Sequence, residues 1–235
     1  MSENCKFRDD MAFVGGSWRK IRDLLHEMDE NSFSALSAEY EIWHFLKSHR
    51  YCGYCGAETV LAGDDEIHYA KKCPNPDCEG SRKVLFPSYS IASITIVARK
   101  GGKEILLGHN TAWPEGRASL FAGFMQPGEN LEECARREIK EECGLEVGSI
   151  RYIKSQTWPF PSNIMAGFYA VAEDGEARPD GREIDKVFWI NRSEMEKIIA
   201  GTSDTGITLP KKGSLARKLI GMWLSDSFQL AISNE

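Results

Sequence analysis

The sequence predicts an α/β fold in which helices cover both faces of a mixed sheet, an α/β/α sandwich. Three observations lead to this prediction. Runs rich in Ile, Val and Thr, typical of strands, are followed by helix-like runs from about residue 88 to the end. Two pairs of cysteines lie between residues 51 and 87, and apolar residues recur at helical spacing before residue 50. We therefore divide the chain into a helical N-terminal segment (1–50), a cysteine-rich module (51–87) and a main domain (88–235).

Composition and charge favour a protein of the cytoplasm. The chain has 235 residues and a formal net charge of −6, so its surface as a whole does not favour nucleic-acid binding. No apolar run is long enough to span a bilayer, and the first residues lack the basic-then-apolar order of a signal peptide. Seven cysteines without a sign of secretion argue against a disulfide framework. Cys5, Cys134 and Cys143 are expected to be unpaired, and the last two to pack as small apolar side chains.

The N-terminal segment is predicted to form two helices. Ser17 is a candidate cap for the first, whose apolar face carries Ile21, Leu24, Leu25 and Met28. Asn31 and Ser32 are expected to end it. The second helix is predicted from about Ala35 to His49, with Leu36, Tyr40, Trp43 and Leu46 on one side. Such stripes are typical of a core or an interface rather than a ligand site.

The cysteine spacing predicts a metal site in the second module. Cys52 and Cys55 are separated by two residues, and Cys73 and Cys78 by four. Two such pairs resemble a zinc ribbon, in which Zn²⁺ takes four thiolates in a closed tetrahedral site that stabilises the fold. The alternative is four reduced, buried cysteines without a metal.

The main domain is predicted to start with a hairpin, Ile91 to Ala98 and Glu104 to Leu107, turning at Gly101-Gly102. Further strands are expected near Ser119–Ala122, Ile150–Gln156, Ala166–Ala172 and Val187–Ile190. A glutamate-rich helix and a late helix over about Ser214 to Ser225 are expected to cover the sheet.

The most informative stretch runs from Gly123 to Leu145 and reads GFMQPGENLEECARREIKEECGL. Residues three and four apart share a helix face, so Glu138, Glu141 and Glu142 are predicted to lie side by side. Oxygen-only clusters of this kind suit Mg²⁺ or Mn²⁺. A solvated acidic helix is the alternative, but it does not need the flanking glycines or the preceding loop.

This stretch matches the Nudix box, G-x5-E-x7-R-E-U-x-E-E-x-G-U with U apolar, at every fixed position. A second segment, Ser155 to Asn163, reads SQTWPFPSN and resembles the S-Q-P-W-P-F-P-x-S signature of the NADH pyrophosphatases, a Nudix family. Two prolines between aromatics make a stiff loop, which could hold a planar ligand or simply pack as a turn. The resemblance covers roughly residues 35 to 225 and includes the cysteine pairs.

The resemblance implies cleavage of the diphosphate of a dinucleotide such as NADH, and in some members removal of NAD caps from RNA. It implies that Glu138 and Glu142 bind the activating Mg²⁺ or Mn²⁺ with help from Glu141 and the carbonyl of Gly123. Glu142 would also orient or deprotonate water. Arg137 would pair with Glu129 to hold the loop. The implied substrate-binding residues are Phe86, Phe124, Gln156, Trp158, Phe160 and Ser162, and the implied assembly is a homodimer, whose partner subunit would contribute Phe86.

One departure concerns the residues before the last strand. Relatives often carry E-[LI]-x-E-A there, with the second Glu as a metal ligand, whereas this chain has Lys186 at that place. Three explanations stay open: Glu183 or Asp185 substitutes, the site holds fewer metals, or Lys186 contacts a phosphate. A lysine on the surface of a strand end is the simplest interpretation.

The leading hypothesis is thus a zinc-ribbon Nudix hydrolase that acts on NADH or NAD⁺. A second hypothesis is a Nudix hydrolase for ADP-ribose or another nucleoside diphosphate derivative. A third is a Nudix-fold protein that binds nucleotides or RNA without cutting them, which the complete glutamate set argues against and Lys186 keeps open.

Overall fold

A computed structural model describes residues 6–62, 69–225 and 227. Cys5, which we expect to be unpaired, lies outside these residues. The chain divides into two compact units. The first comprises Met1–Tyr89 together with Thr157–Asn163, and the second comprises Ser90–Gln156 and Ile164–Glu235.

The first unit begins with a small antiparallel sheet that the sequence analysis missed. Its strands are β1 (Phe7–Arg8), β2 (Met11–Val14) and β3 (Ser17–Lys20), paired in that order. The prediction that Ser17 caps a helix is therefore wrong, because Ser17 opens β3 and pairs with Val14. Gly15 and Gly16 connect β2 to β3 with positive φ angles of 59° and 83°, as a two-residue hairpin turn requires.

Two helices follow this sheet. Helix α1 (Ile21–Leu24) is a single turn, and α2 (Glu30–Ser48) runs for 19 residues. The side chain of Asp29 caps α2 by accepting the N–H of Ser32 at 3.0 Å. The second predicted helix is thus confirmed but starts five residues earlier, since Asn31 and Ser32 form its first turn instead of a break.

The core of the first unit joins the N-terminal segment to the loop at 157–163. Phe7, Ile21, Leu24, Phe33 and Tyr40 are buried, and Trp158 and Phe160 pack against them. The guanidinium of Arg22 lies 5.8 Å from the ring centre of Trp158 and 5.0 Å from that of Phe160, a cation–π arrangement.

The described residues of the cysteine module form three short antiparallel strands and a 3-10 helix over Glu79–Arg82. The strands are β4 (Val60–Leu61), β5 (Lys71–Lys72) and β6 (Val84–Leu85), with β5 in the centre. Lys71 is buried and donates from Nζ to the carbonyl of Leu46 at 3.1 Å. This hydrogen bond satisfies a carbonyl in the last turn of α2.

The second unit is built on a six-stranded sheet with the order β10-β11-β7-β8-β12, in which β9 pairs with β7. Its strands are β7 (Ser90–Ala98), β8 (Glu104–Asn110), β9 (Phe121–Phe124), β10 (Val147–Trp158), β11 (Asn163–Ala172) and β12 (Ile184–Asn191). In the described part of this unit, three helices accompany the sheet: α3 (Leu131–Cys143), α4 (Arg192–Ala200) and α5 (Leu215–Leu224). The last two residues of β10 and the first of β11 group with the first unit.

Side chains alternate across this sheet into two cores, as a strand covered on both faces requires. On β7, Ile94 and Ile96 enter the core with Leu219 and Trp223 of α5. Val97 enters the other core, with Ile139 and Cys143 of α3. The sheet therefore lies between α3 on one face and α4 with α5 on the other.

The predicted α/β sandwich with a mixed sheet is confirmed. All six predicted strands are present, and Ser214 caps the predicted late helix by accepting the N–H of Arg217. Helix α4 was missed, although Asn191 caps it through Glu194 N–H. Across the described ranges, no helix combines the length and apolar character needed to cross a bilayer. The cytoplasmic location and the three-part domain division stay predictions.

Candidate functional site: a glutamate helix and a cysteine cluster

The four paired cysteines of the first unit come together as their spacing predicts. The Sγ atoms of Cys52, Cys55, Cys73 and Cys78 all lie within 4.8 Å of one another. Cys52 and Cys78 are 3.9 Å apart, and Cys55 and Cys73 are 3.6 Å apart. Four sulfurs at ~2.3 Å from a tetrahedral zinc ion would be separated by ~3.8 Å, so the cluster fits that ion.

Backbone N–H groups favour a thiolate at Cys52, whereas burial raises the pKa of the Cys73 thiol to about 12. The N–H groups of Cys55 and Tyr54 lower the pKa of the Cys52 thiol to about 7. Gly80 donates its N–H to Cys78 Sγ at 3.3 Å. A Cβ at residue 80 would lie 2.8 Å from Cys52 Sγ, so the backbone approaches the sulfurs as only glycine allows.

Helix α3 presents the glutamates of the second unit. Asn130 caps the helix by accepting the N–H of Glu133, and the Glu133 side chain accepts the N–H of Asn130 in return. Gly144 ends the helix with a φ of 73°. Ile139 and Cys143 anchor the inner face in the core. These contacts fix which α3 side chains point toward the sheet.

Arg137 ties the helix to the loop before it. Its Nε donates to Glu129 Oε1 at 2.5 Å and its Nη2 to Glu129 Oε2 at 3.0 Å, a two-point ion pair. Nη2 also donates to the carbonyl of Phe124 at 2.9 Å, and the N–H of Gln126 reaches Glu129. The hydrogen bonds from Arg137 hold the pKa of Glu129 below its usual range. The predicted pairing of Arg137 with Glu129 is therefore present in the structure.

The three box glutamates differ in their surroundings. Glu142 is only 6% exposed, and among the described residues its Oε2 has no hydrogen-bond partner. Burial, with the neighbouring charges of Glu138 and Glu183, raises the pKa of Glu142 to about 8. Burial also raises the pKa of Glu138, while Glu141 is exposed and accepts from Arg137 Nη1 at 3.0 Å. The backbone of Ala122 donates one hydrogen bond to Glu142 and leaves Oε2 without a partner among the described residues, so this set of oxygen ligands fits a divalent metal.

The raised pKa predicts how the stability of the metal-free protein depends on pH. The folded state binds the Glu142 proton more tightly than the unfolded state, whose pKa is near the ordinary 4.5. The free energy of unfolding is therefore expected to fall by on the order of a few kcal/mol as the pH rises from about 4.5 to about 8. Glu142→Gln should remove this difference. Urea unfolding of the zinc-loaded protein without Mg²⁺ or Mn²⁺, with wild type and variant compared at each pH, measures it. Parallel curves for the two proteins would contradict the prediction.

Gly123 lies directly beneath this cluster. It pairs with Ser93 of β7, and a Cβ at this position would collide with the carboxylate of Glu138. Gly123→Ala is therefore expected to displace Glu138 and lower kcat/KM about 10- to 100-fold, since small misplacements in a site carry such effects. Gly221→Ala on α5, where a Cβ meets nothing within 4 Å, is the matched control. Equal kcat/KM values for the two variants would exclude a role for the close packing of Gly123 against the Glu138 carboxylate.

The residues predicted to bind substrate fall in both units. Phe124 of the second unit is 56% exposed. Gln156 Nε2 donates to the carbonyl of Gly213 at 2.7 Å, and its buried Oε1 has no partner among the described residues. Phe86, Trp158, Phe160 and Ser162 belong to the first unit, where Phe86 is exposed and Trp158 and Phe160 take part in core packing. Their roles toward substrate stay predictions.

Asp180 is a structural residue that the sequence analysis missed. Its carboxylate accepts the N–H groups of Arg182, Glu183 and Ile184, and these bonds lower its pKa. The turn holds the start of β12 beside the glutamate helix. The dipeptide Asp180-Gly181 is a turn signal that could have predicted it.

A sandwich in which helix α3 carries these three glutamates, with Glu142 buried, is the architecture of a Nudix hydrolase. The NUDIX domain family matches residues 89–209. The chain is 32% identical over 216 residues to the NAD-capped RNA hydrolase NudC of Pseudomonas syringae pv. syringae (strain B728a), covering 92% of this chain and 70% of the relative. It therefore belongs to the NADH pyrophosphatase family of Nudix hydrolases.

Two further relatives show the range of the similarity. NAD-capped RNA hydrolase NudC of Chromobacterium violaceum is 35% identical over 182 residues, which cover 77% of this chain and 65% of the relative. NAD-capped RNA hydrolase NUDT12 of Macaca fascicularis is 31% identical over 185 residues, 77% of this chain and 39% of that protein.

Proposed function

We propose that this protein hydrolyses the diphosphate bond of NADH and NAD⁺, releasing AMP and nicotinamide mononucleotide, and that it acts on the same bond in NAD-capped RNA. The observation that carries the proposal is the buried Glu142 carboxylate beside Glu138. Such a site would suit a divalent cation, which would neutralise charge on a diphosphate. The relatives named as NAD-capped RNA hydrolases support the choice of substrate.

We propose Mg²⁺ or Mn²⁺ as the catalytic ion, held by Glu138 and Glu142 with Glu141 and the Gly123 carbonyl in support. When bound, the ion neutralises charge on the diphosphate and lowers the pKa of a coordinated water. Within the chain, Glu142 is the base that would orient or accept a proton from the attacking water, because its carboxylate is buried beside Glu138 and its Oε2 has no partner among the described residues. Arg137 acts by position, since it fixes the loop that carries Phe124 and Glu129.

The remaining roles follow from side-chain chemistry. Phe124 offers an exposed ring on which a base can stack, and Phe86 offers another from the first unit, supplied by the partner subunit in the homodimer that we propose. Gln156 offers its Oε1, which has no partner among the described residues, to a donor on the ligand. Trp158, Phe160 and Ser162 would shape the recognition loop. The cysteine cluster would hold one structural Zn²⁺ per chain.

Chromatography of products tests the substrate. Purified protein is incubated separately with NADH, NAD⁺, ADP-ribose and an NAD-capped oligonucleotide, with Mg²⁺ and then with Mn²⁺. AMP and reduced nicotinamide mononucleotide from NADH, formed faster than AMP from ADP-ribose, is the expected result. Faster cleavage of ADP-ribose would select the second hypothesis. No cleavage of any substrate, with metal bound, would select the non-catalytic binding protein.

A further inference from the structure

We propose that the outer face of the N-terminal sheet binds single-stranded RNA, with bases stacked on Phe13 and Trp18 and phosphates held by Arg8 and Lys20. This inference rests on the proposed action on NAD-capped RNA and names a surface that holds the RNA chain itself. It concerns β1, β2 and β3 of the first unit. None of these side chains has a role in the glutamate site.

The pairing of the three strands shows which side chains point away from the core. Ala12 is buried in the core of the first unit, and Val14 packs against that core. Because successive residues of a strand point to opposite faces, Met11 and Phe13 lie on the outer face. Directly paired residues share a face, so the outer face is defined by five side chains: Arg8, Met11, Phe13, Trp18 and Lys20.

An aromatic pair occupies the centre of the outer face. The ring centres of Phe13 and Trp18 are 5.5 Å apart, and the ring planes meet at 61°. Phe13 donates its N–H to the carbonyl of Lys6 on the β1 side. Phe13 and Trp18 therefore face each other at a non-hydrogen-bonded position, where side chains of neighbouring strands come closest. Even in contact, Phe13 is 49% exposed and Trp18 is 40% exposed, which leaves ring surface for a ligand to cover.

The charged side chains of the outer face are both positive. Arg8 and Lys20 are exposed and pair with Met11 from its two sides, in the row next to the aromatic pair. The three strands contain no Asp or Glu. Asp9, in the turn after β1, lies 4.0 Å from Arg8, but both side chains are largely exposed, so this ion pair is weak. The outer face is thus locally positive although the whole chain carries a net charge of −6.

Single-stranded RNA is the ligand that this arrangement suits. Unpaired bases stack on aromatic rings that a sheet exposes, and neighbouring Arg and Lys side chains contact the phosphates. A duplex keeps its bases stacked inside, so it leaves the aromatic pair unused. A second copy of this chain or another folded protein is a poorer match. A stable protein interface takes about 20–30 residues from each partner, whereas the outer face offers five.

Fluorescence anisotropy with uncapped RNA tests the inference directly. A labelled, unstructured RNA of about 12 nucleotides is titrated with the zinc-loaded full chain in the absence of Mg²⁺ and Mn²⁺. Trp18→Ala is expected to weaken binding about tenfold, as the loss of a stacking ring does. Trp18→Leu keeps an apolar side chain but should lose as much, whereas Trp18→Tyr keeps a ring and should stay within about threefold of the wild type. Tyr152→Ala, which removes an exposed ring from β10, is the matched control and should change the affinity less than about twofold.

The charge of Lys20 gives an independent readout. Lys20→Gln should lower the slope of log Kd against log salt concentration by about 0.7, the value for one phosphate contact of a single strand. Lys100→Gln, which removes an exposed charge from the second unit, should leave the slope unchanged. This comparison also decides the inference should the Trp18 variants fail to fold, because Lys20 is exposed and lies outside the core. An unchanged slope in Lys20→Gln would then overturn it.

Equal RNA affinity of Trp18→Ala and the wild type, an equal loss in Tyr152→Ala, or no RNA binding by the wild type would overturn the inference. So would a wild-type dimer that Trp18→Ala dissociates without a change in RNA affinity, because the outer face would then be an interface between copies.

Hydrolysis decides the proposed function separately. Trp18→Ala should raise KM for an NAD-capped oligonucleotide about tenfold and leave KM for NADH unchanged. A wild type that binds RNA through Trp18 but cleaves neither substrate would remove the proposed function alone. A wild type that cleaves NADH but binds no RNA would remove this inference and leave NADH hydrolysis in place.

Discussion

Glu142→Gln is expected to reduce kcat for NADH hydrolysis by on the order of 10³-fold or more, because one change removes a metal ligand and a base. The amide is nearly isosteric with the carboxylic acid, and the cavity around residue 142 stays filled. The variant should therefore fold, and its metal-free form should be at least as stable as the wild type above pH 8. Steady-state rates and thermal unfolding of the same preparation measure both effects.

Glu132→Gln is the control for this variant. Glu132 lies on the same helix but is exposed and outside the cluster, so the rate should stay within about twofold of wild type. The rate of Glu141→Gln should lie between those of Glu142→Gln and Glu132→Gln, since Glu141 belongs to the cluster but is exposed and contacts Arg137. A Glu142→Gln enzyme that keeps a tenth of the wild-type rate would exclude Glu142 as the base.

Cys73→Ser is expected to abolish zinc binding and to unfold the cysteine module. Cys73 is 3% exposed, and its Sγ lies 3.6 Å from Cys55 Sγ. Without the ion, the module has little else to stabilise it, because β4, β5 and β6 have two residues each. Binding of a structural zinc ion contributes ~10 kcal/mol or more to folding in small modules. Elemental analysis should show the metal content fall from one zinc per chain to none.

Amide hydrogen exchange locates the effect of this substitution. Protection of Lys71 and Lys72, in the central strand β5, should be lost. Cys134→Ala in the second unit is the control: Cys134 is buried beside Ser93, so the variant should keep its zinc. No zinc in the wild type would leave the cluster as four reduced cysteines, and full zinc content in Cys73→Ser would exclude Cys73 as a ligand.

Helix α3 and the main sheet could be predicted because several independent signals agree on them. The spacing of Glu138, Glu141 and Glu142, the turn at Gly101-Gly102 and the cap at Ser214 each fix a local structure that the tertiary fold keeps. The N-terminal sheet was missed for the opposite reason. The helical spacing of Ile21, Leu24 and Leu25 predicts a helix that starts near Ser17, yet only one turn, Ile21–Leu24, forms. Gly15 and Gly16 make a hairpin turn instead, so Ser17–Lys20 form a strand.

The faces of the sheet on which Glu183, Asp185 and Lys186 lie could not be derived from the sequence. In a regular strand, residues 183 and 185 would point to the same face. The register shift between Ile184 and Lys186 removes that rule. This register shift depends on how β12 pairs with β8, which is distant in sequence, so no local sequence pattern predicts it. The same limit applies to Glu142, whose burial results from the sheet beneath α3 and not from the helix alone.

The seven residues 157–163 limit where this chain can be truncated and how its N-terminal unit can be exchanged. They leave the second unit at Gln156 and return to it at Ile164, but their aromatic rings are stabilised by Arg22 and the N-terminal core. Neither unit is thus encoded by one uninterrupted stretch of the gene. A truncation or a gene fusion at residue 89 would produce a catalytic fragment whose loop has lost its apolar partners. Evolutionary exchange of the N-terminal unit would therefore require compensating changes in residues 157–163.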